Sequence, residues 1–167
     1  SSAASDVYKR QALSYAKEEG SITILNPAPA QPLGENILKL CDFVTPNEIE
    51  AEQITGIPVK TVSDAEVAAD KLLEKGASAA VITLGEQGAL FKDSKQIIHQ
   101  PSFQVGPIVE TTGAGDAFNG GLAVALAEEM PIDKALRFAC ATASISVTRP
   151  GTAPSMPDRN EIDTLLT

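Results

Sequence analysis

Thr111-Thr112-Gly113-Ala114-Gly115-Asp116-Ala117-Phe118-Asn119-Gly120-Gly121 is the stretch on which the reading of this chain turns. Its small residues let the backbone come close to a bulky anion. A helix is predicted from Asp116 to Glu129, and its start aims free N–H groups and a partial positive charge at the same point. Such a turn can hold phosphate oxygens as charge shifts during transfer. The stretch lacks the Lys-Ser/Thr ending of a Walker loop and the spacing of a dinucleotide fingerprint, so neither motif applies. Asp116, at the mouth of the turn, is placed to accept a proton from an attacking hydroxyl. In a loose transition state its main task is to orient that nucleophile. Taken alone, Gly113 to Asp116 fits equally well an ordinary loop with Asp116 as a helix N-cap.

Outward from this stretch, predicted strands and helices alternate, which argues for α/β layering with a largely parallel sheet. Val7 to Glu19 reads as a helix ended by Gly20, and Ile22 to Leu25 as a buried strand stopped by Asn26-Pro27-Ala28-Pro29-Ala30. Asp42-Phe43-Val44 is a short strand. A helix follows, with Thr45 as N-cap, Pro46 first in the helix and Glu48 completing a capping box; Gly56 and Pro58 end it. Ser63-Asp64-Ala65-Glu66 reads as a second capping box, whose helix Gly76 closes at Lys75. Ala80 to Leu84 is a strand, and Ala89 to Phe91 with Gln96 to Ile98 suggest a meander. Ile132 to Val147 is a helix with an apolar face at Ala135, Leu136, Ala139 and Ala143, and Asp158 to Leu166 forms the last one.

The 167 residues suit one domain, and 43% hydrophobic composition suits a globular protein. No apolar run nears the ~20 residues needed to span a bilayer, and no charged-then-apolar leader is visible, so neither a membrane partner nor secretion is expected. The net charge is −9 and no run of Lys and Arg exists, which argues against nucleic acid. A phosphate ligand must therefore be attracted locally, by backbone N–H groups, a helix start or a metal ion. Cys41 and Cys140 sit in apolar surroundings without metal-ligand spacing; they read as buried, reduced thiols and fit a cytoplasmic home. His99, the single histidine, reads as a surface residue on an edge strand.

With these residues in view, the chain resembles the ribokinase, or phosphofructokinase B, family of carbohydrate kinases. The likeness continues through Asn26 to Ala30, Asn47 to Glu52, Ile82 to Gly88 and Val147 to Ser155, in the family's order and spacing. It implies a three-layer α/β/α sandwich with a mainly parallel sheet. Residues 1–167 would be its C-terminal nucleotide-binding and catalytic part. The N-terminal part, with a small β lid and most sugar-binding residues, is expected to lie outside this sequence.

The resemblance also implies roles. Asp116 would deprotonate the sugar hydroxyl that attacks the γ-phosphate of ATP, with Gly113, Ala114 and Gly115 as the anion hole. Asn47 and Glu50 match an Asn-x-x-Glu motif that organises magnesium and phosphate, largely through water; a solvated helix carboxylate is the plain alternative for Glu50. Thr83, Gly85 and Gly88 match a segment that lies along the nucleotide, or form a simple β-turn. Cys140 falls at an adenine-side position, where a helix-packing cysteine fits as well. Potassium would sit among Glu110, Thr112, Ser146, Arg149, Gly151 and Ser155. Glu110 stands where the family usually has an aspartate, and its extra methylene leaves three outcomes open: a shifted cation, a carboxylate pushed out of the cage, or a strand cap with no ion.

The expected reaction is ATP-dependent phosphorylation of a sugar, foremost D-ribose at O5. A kinase for another sugar or nucleoside and a non-catalytic nucleotide-binding fragment are the alternatives. A homodimer of the full-length protein is compatible with the family.

Overall fold

The computed structural model describes residues 2–29, 33 and 36–167, with residues 2–6 described by backbone alone. Ala30, the end of the expected proline segment, lies outside the described residues. The elements run α1 (Ser2–Glu18), β1 (Ile24–Leu25), β2 (Phe43–Val44), α2 (Glu48–Thr55), α3 (Val62–Glu74), β3 (Ala79–Thr83), β4 (Ala89–Asp93), β5 (Ile97–Gln100), α4 (Ala114–Ala127), α5 (Ile132–Ser146) and α6 (Arg159–Leu166). The strands form one sheet in the order β1-β2-β3-β4-β5, with β1, β2 and β3 parallel. Two compact units divide the chain: residues 1–84 with 90–98, and residues 85–89 with 99–167.

The first unit is built on its parallel strands. β3 is buried at Ala79, Ala80, Val81 and Ile82, the continuous apolar run of a strand covered on both faces. α3 buries Ala65, Ala68, Ala69 and Leu72, the i, i+3, i+4, i+7 stripe of an amphipathic helix. β1 is shorter than expected: Ile22 is exposed, and ladder bonds begin where the Phe43 N–H donates to the Thr23 carbonyl at 2.9 Å.

Both predicted capping boxes are displaced by two residues. The chain is still extended at Thr45, whose N–H donates to the Leu25 carbonyl at 2.9 Å, so α2 is capped by Asn47 with Glu50 as its partner. α3 is capped by Thr61 with Asp64, rather than by Ser63 with Glu66. The predicted meander is present as β4 and β5; Asp93 closes their turn by accepting from the N–H groups of Lys95 and Gln96 at 2.7 and 2.8 Å.

The second unit rests on the packing of α4 against α5. Gly121 makes this possible, because a Cβ there would lie 2.6 Å from Thr142 Oγ1 and 3.1 Å from the Ala139 Cα. Ala117, Leu122 and Ala125 on α4, and Ala135, Leu136 and Ala139 on α5, are buried; Ala143 is only half-buried. α6 is held by Ile162, by the Arg159 guanidinium 5.0 Å over the Phe138 ring, and by the Arg159–Glu128 ion pair at 2.6 Å.

Candidate functional site

α4 begins two residues earlier than the sequence suggested, at Ala114, and its N-cap is Gly113. Asp116 is therefore not the cap; it lies in the first turn of the helix and is exposed. That removes the ordinary-cap explanation for this aspartate. Gly113 carries no side chain to cap the helix, and its φ of +85° is in the left-handed region that favours glycine. A Cβ at this position would sit 3.2 Å from Thr152 Cγ2 and 3.4 Å from its Cα, so Gly113 lies close against the Thr152 backbone.

Helical bonding starts at Ala117, whose N–H donates to the Gly113 carbonyl at 2.9 Å, while the Ala114 N–H donates to the Thr111 carbonyl at 3.1 Å. The amides of Gly115 and Asp116 precede the first helical donor, Ala117, and have no side-chain cap. Gly115 is a different kind of glycine from Gly113. It is exposed, helical, and a Cβ there would meet nothing within 4 Å. Neither packing nor backbone geometry asks for glycine, which gives up as much as ~1 kcal/mol to alanine in a helix. A side chain at Gly115 would extend into open space in the first turn, beside the exposed Asp116. Asn119, absent from the expected site, braces the turn by donating from Nδ2 to the Gly115 carbonyl at 2.8 Å. Its i+4 spacing within the quoted stretch was the available signal.

Of the residues expected around potassium, Ser146 ends α5, Arg149, Gly151 and Ser155 lie between α5 and α6, and Glu110 and Thr112 lie in the segment before α4. Glu110 Oε2 accepts from the Gly151 N–H at 2.7 Å, so the longer carboxylate reaches that loop. The N–H groups of Val109 and Glu110 both donate to the Val147 carbonyl, at 2.8 and 3.2 Å. Ser146 and Ser155 are buried and their hydroxyls donate to the Ala143 and Thr152 carbonyls, at 2.8 and 2.7 Å. Arg149 pairs through both terminal nitrogens with Glu161, a partner the sequence reading missed. This pairing holds the Glu161 carboxyl below the usual carboxylate range. Thr112 is exposed.

In the same unit, Gly85 is exposed with φ +52° and Gly88 is buried with φ +91°. A Cβ at Gly88 would strike the Gln100 carbonyl at 2.0 Å, so this glycine is required by the backbone beside it. His99, exposed as expected, donates from Nε2 to the Gln87 carbonyl at 2.7 Å. Cys140 is buried, and burial pushes its thiol up to about 12. It is a neutral packing group in the resting protein.

Asn47, Glu50 and Thr83 meet in the first unit. Asn47 forms a bridge with Thr83 beyond the end of β2, and the Thr83 N–H donates to the Pro46 carbonyl at 3.0 Å. The Asn47 N–H donates to Glu50 Oε2 and the Glu50 N–H to Asn47 Oδ1, each at 2.9 Å. Glu50 is buried, so it is not the solvated helix carboxylate of the plain alternative. Among the described residues no group of three or more His, Cys, Asp or Glu side chains is placed to hold a metal ion. A magnesium ion here would need oxygens from phosphate and water, the habit of that cation.

Residues 1–159 match the family described as pfkB family carbohydrate kinase. The chain is 45% identical over 148 residues to a ribokinase of Haemophilus influenzae, covering 87% of this chain and 47% of that protein. It is 38% identical over 156 residues to a deoxyribokinase of Salmonella typhi, covering 93% of this chain and 51% of that protein. The chain thus spans about half the length of these curated relatives. Among solved structures, ribokinase of Arabidopsis thaliana complexed with ribose and ATP aligns with a TM-score of 0.92 at 33% identity, over 96% of this chain and 52% of that one. Ribokinase of Thermotoga maritima aligns with a TM-score of 0.82 at 41% identity, over 93% of this chain and 52% of that one. The fold is therefore the ribokinase-like α/β fold, and the chain belongs to the pfkB family of carbohydrate kinases.

Proposed function

We propose that this chain is the C-terminal nucleotide-binding and catalytic part of an ATP-dependent sugar kinase that converts D-ribose to ribose 5-phosphate. The observation that carries the reading is the start of α4, where uncapped amides, an unneeded glycine and an exposed aspartate coincide in a member of this family. Asp116 takes the proton of the attacking hydroxyl and orients its oxygen. The backbone at Gly113, Ala114 and Gly115 receives the negative charge that builds on the phosphoryl oxygens. Thr83, Gly85 and Gly88 lie along the nucleotide, and Cys140 backs its adenine side by packing. Asn47 and Glu50 order the water around magnesium, which, when bound, neutralises phosphate charge.

Potassium is proposed beside Glu110 and the backbone of Thr112, Ser146, Arg149, Gly151 and Ser155. One Glu110 oxygen is engaged by the Gly151 N–H. The carboxylate offers a cation less than an unengaged one would, and activation by potassium is correspondingly weak. Ribose ranks first because both the ribokinase and the ATP- and ribose-bound structure are close in sequence or shape. The two buried thiols suit a reducing, cytoplasmic setting.

The test is sugar-dependent ADP release by the full-length enzyme, with a panel of pentoses, hexoses and nucleosides, in potassium and in a large organic cation at equal ionic strength. Ribose is expected to give the highest kcat/KM, with modestly faster turnover in potassium. A different best substrate overturns the choice of sugar, and equal rates in both salts overturn the cation site. The isolated 167 residues are expected to release no ADP with ribose; turnover near ~1 s⁻¹, ordinary for an enzyme, would contradict the division of the site.

A further inference from the structure

We infer that Glu110 is a positioning residue, whose carboxylate holds the Gly151 amide and thereby sets Thr152 against Gly113 at the start of α4. The inference rests on the reading of that turn as the phosphate-binding element. Three observations make the chain of action. Glu110 Oε2 accepts from the Gly151 N–H at 2.7 Å, across 41 residues of sequence. Gly151 has φ +83°, in the left-handed region that favours glycine, so the chain turns sharply just before Thr152. The next residue, Thr152, is the one whose Cα, Cβ and Cγ2 would lie 3.2–3.4 Å from a Cβ at Gly113.

The neighbouring bonds stiffen both ends of this relay. The Val109 and Glu110 amides share the Val147 carbonyl, and the Ser155 hydroxyl donates to the Thr152 carbonyl. Between residues 110 and 151, however, the carboxylate is the side chain that closes the gap. A charged acceptor gives the stronger kind of hydrogen bond to a backbone amide. Reach decides which residues can serve. Glutamine keeps an acceptor oxygen at the same distance, whereas aspartate is one methylene short and alanine has no acceptor.

Amide hydrogen exchange, read residue by residue on the 167-residue chain, tests this without relying on catalysis. In Glu110→Ala and Glu110→Asp, exchange at Gly151 is expected to rise roughly tenfold, the effect of one lost hydrogen bond. Exchange at Ala114 and Ala117, whose bonds define the turn, rises with it. Glu128 and Ala135, bonded at the far end of α4 and the start of α5, keep their rates. Glu110→Gln restores most of the protection at all three sensitive amides. Faster exchange at Gly151 with Ala114 and Ala117 unchanged would overturn the relay, as would acceleration at every amide alike or failure of the glutamine to restore protection. If the turn proves not to bind phosphate, these exchange rates are unaffected, so the two ideas fail separately.

Discussion

The starts of α2 and α4 face the same problem, amide donors that have no helical acceptor, and handle it in opposite ways. At α2, Asn47 and Glu50 spend their side chains on each other's backbone, and the carboxylate is buried. At α4, the cap is a glycine, no side chain turns back, and Asp116 faces outward from the first turn. The first arrangement satisfies its donors from within the helix; the second leaves the first-turn amides without a side-chain cap.

If that contrast holds, the largest effect belongs to the residue left over. Asp116→Asn in the full-length enzyme is expected to lower turnover by roughly 10²–10⁴-fold, the worth of a positioned base, with nucleotide affinity nearly unchanged. Steady-state assays with nucleotide titrations check this; activity within a few-fold of wild type would end the assignment. Next comes Gly113→Ala, which forces a side chain into φ +85° and against Thr152. It should lose about 1–3 kcal/mol of stability, measured by urea unfolding. Asn47→Ala should lose about 1 kcal/mol as a removed cap, seen as a lower Tm, along with a weaker dependence of the enzyme on magnesium. Smallest in stability is Gly115→Ala, expected to be neutral or to gain up to ~1 kcal/mol, because its Cβ meets nothing. Its damage should appear instead as weaker nucleotide binding. A stability loss as large as that of Gly113→Ala would show that the two glycines are not different in kind.

Much of this contrast was legible in the residues, and the errors fall where local pattern leaves a choice open. Element identity came through for α3, α5, α6 and the β4–β5 meander, where apolar spacing and turn residues agree. The starts of α5 and α6 came through as well, at Ile132 and Asp158, but those of α2 and α3 did not, because capping frames overlap. Thr45-x-x-Glu48 and Asn47-x-x-Glu50 are both plausible, and the choice is made by ladder bonding of Thr45 to β1, which no local pattern reveals. Thr61-x-x-Asp64 competes in the same way with Ser63-x-x-Glu66. Asp116 could be picked out as a candidate, but its exclusion from the cap position needed the left-handed Gly113. Glu110 and Gly151 could be brought together only through the family resemblance, while the approach of Thr152 to Gly113 and the pairing of Arg149 with Glu161 are tertiary, and sequence spacing carries no trace of them.

The proposed function stands or falls with phosphate binding by the backbone at the start of α4. It is tested most directly by titrating magnesium ATP into the 15N-labelled chain and following each amide, a method that tolerates weak, millimolar affinity. The Gly115 and Asp116 resonances in the second unit are expected to move furthest, and Gly115→Ala to reduce their movement. If those two amides stay fixed while others shift, or if nothing shifts at all, the start of α4 is not a phosphate site and the account is wrong.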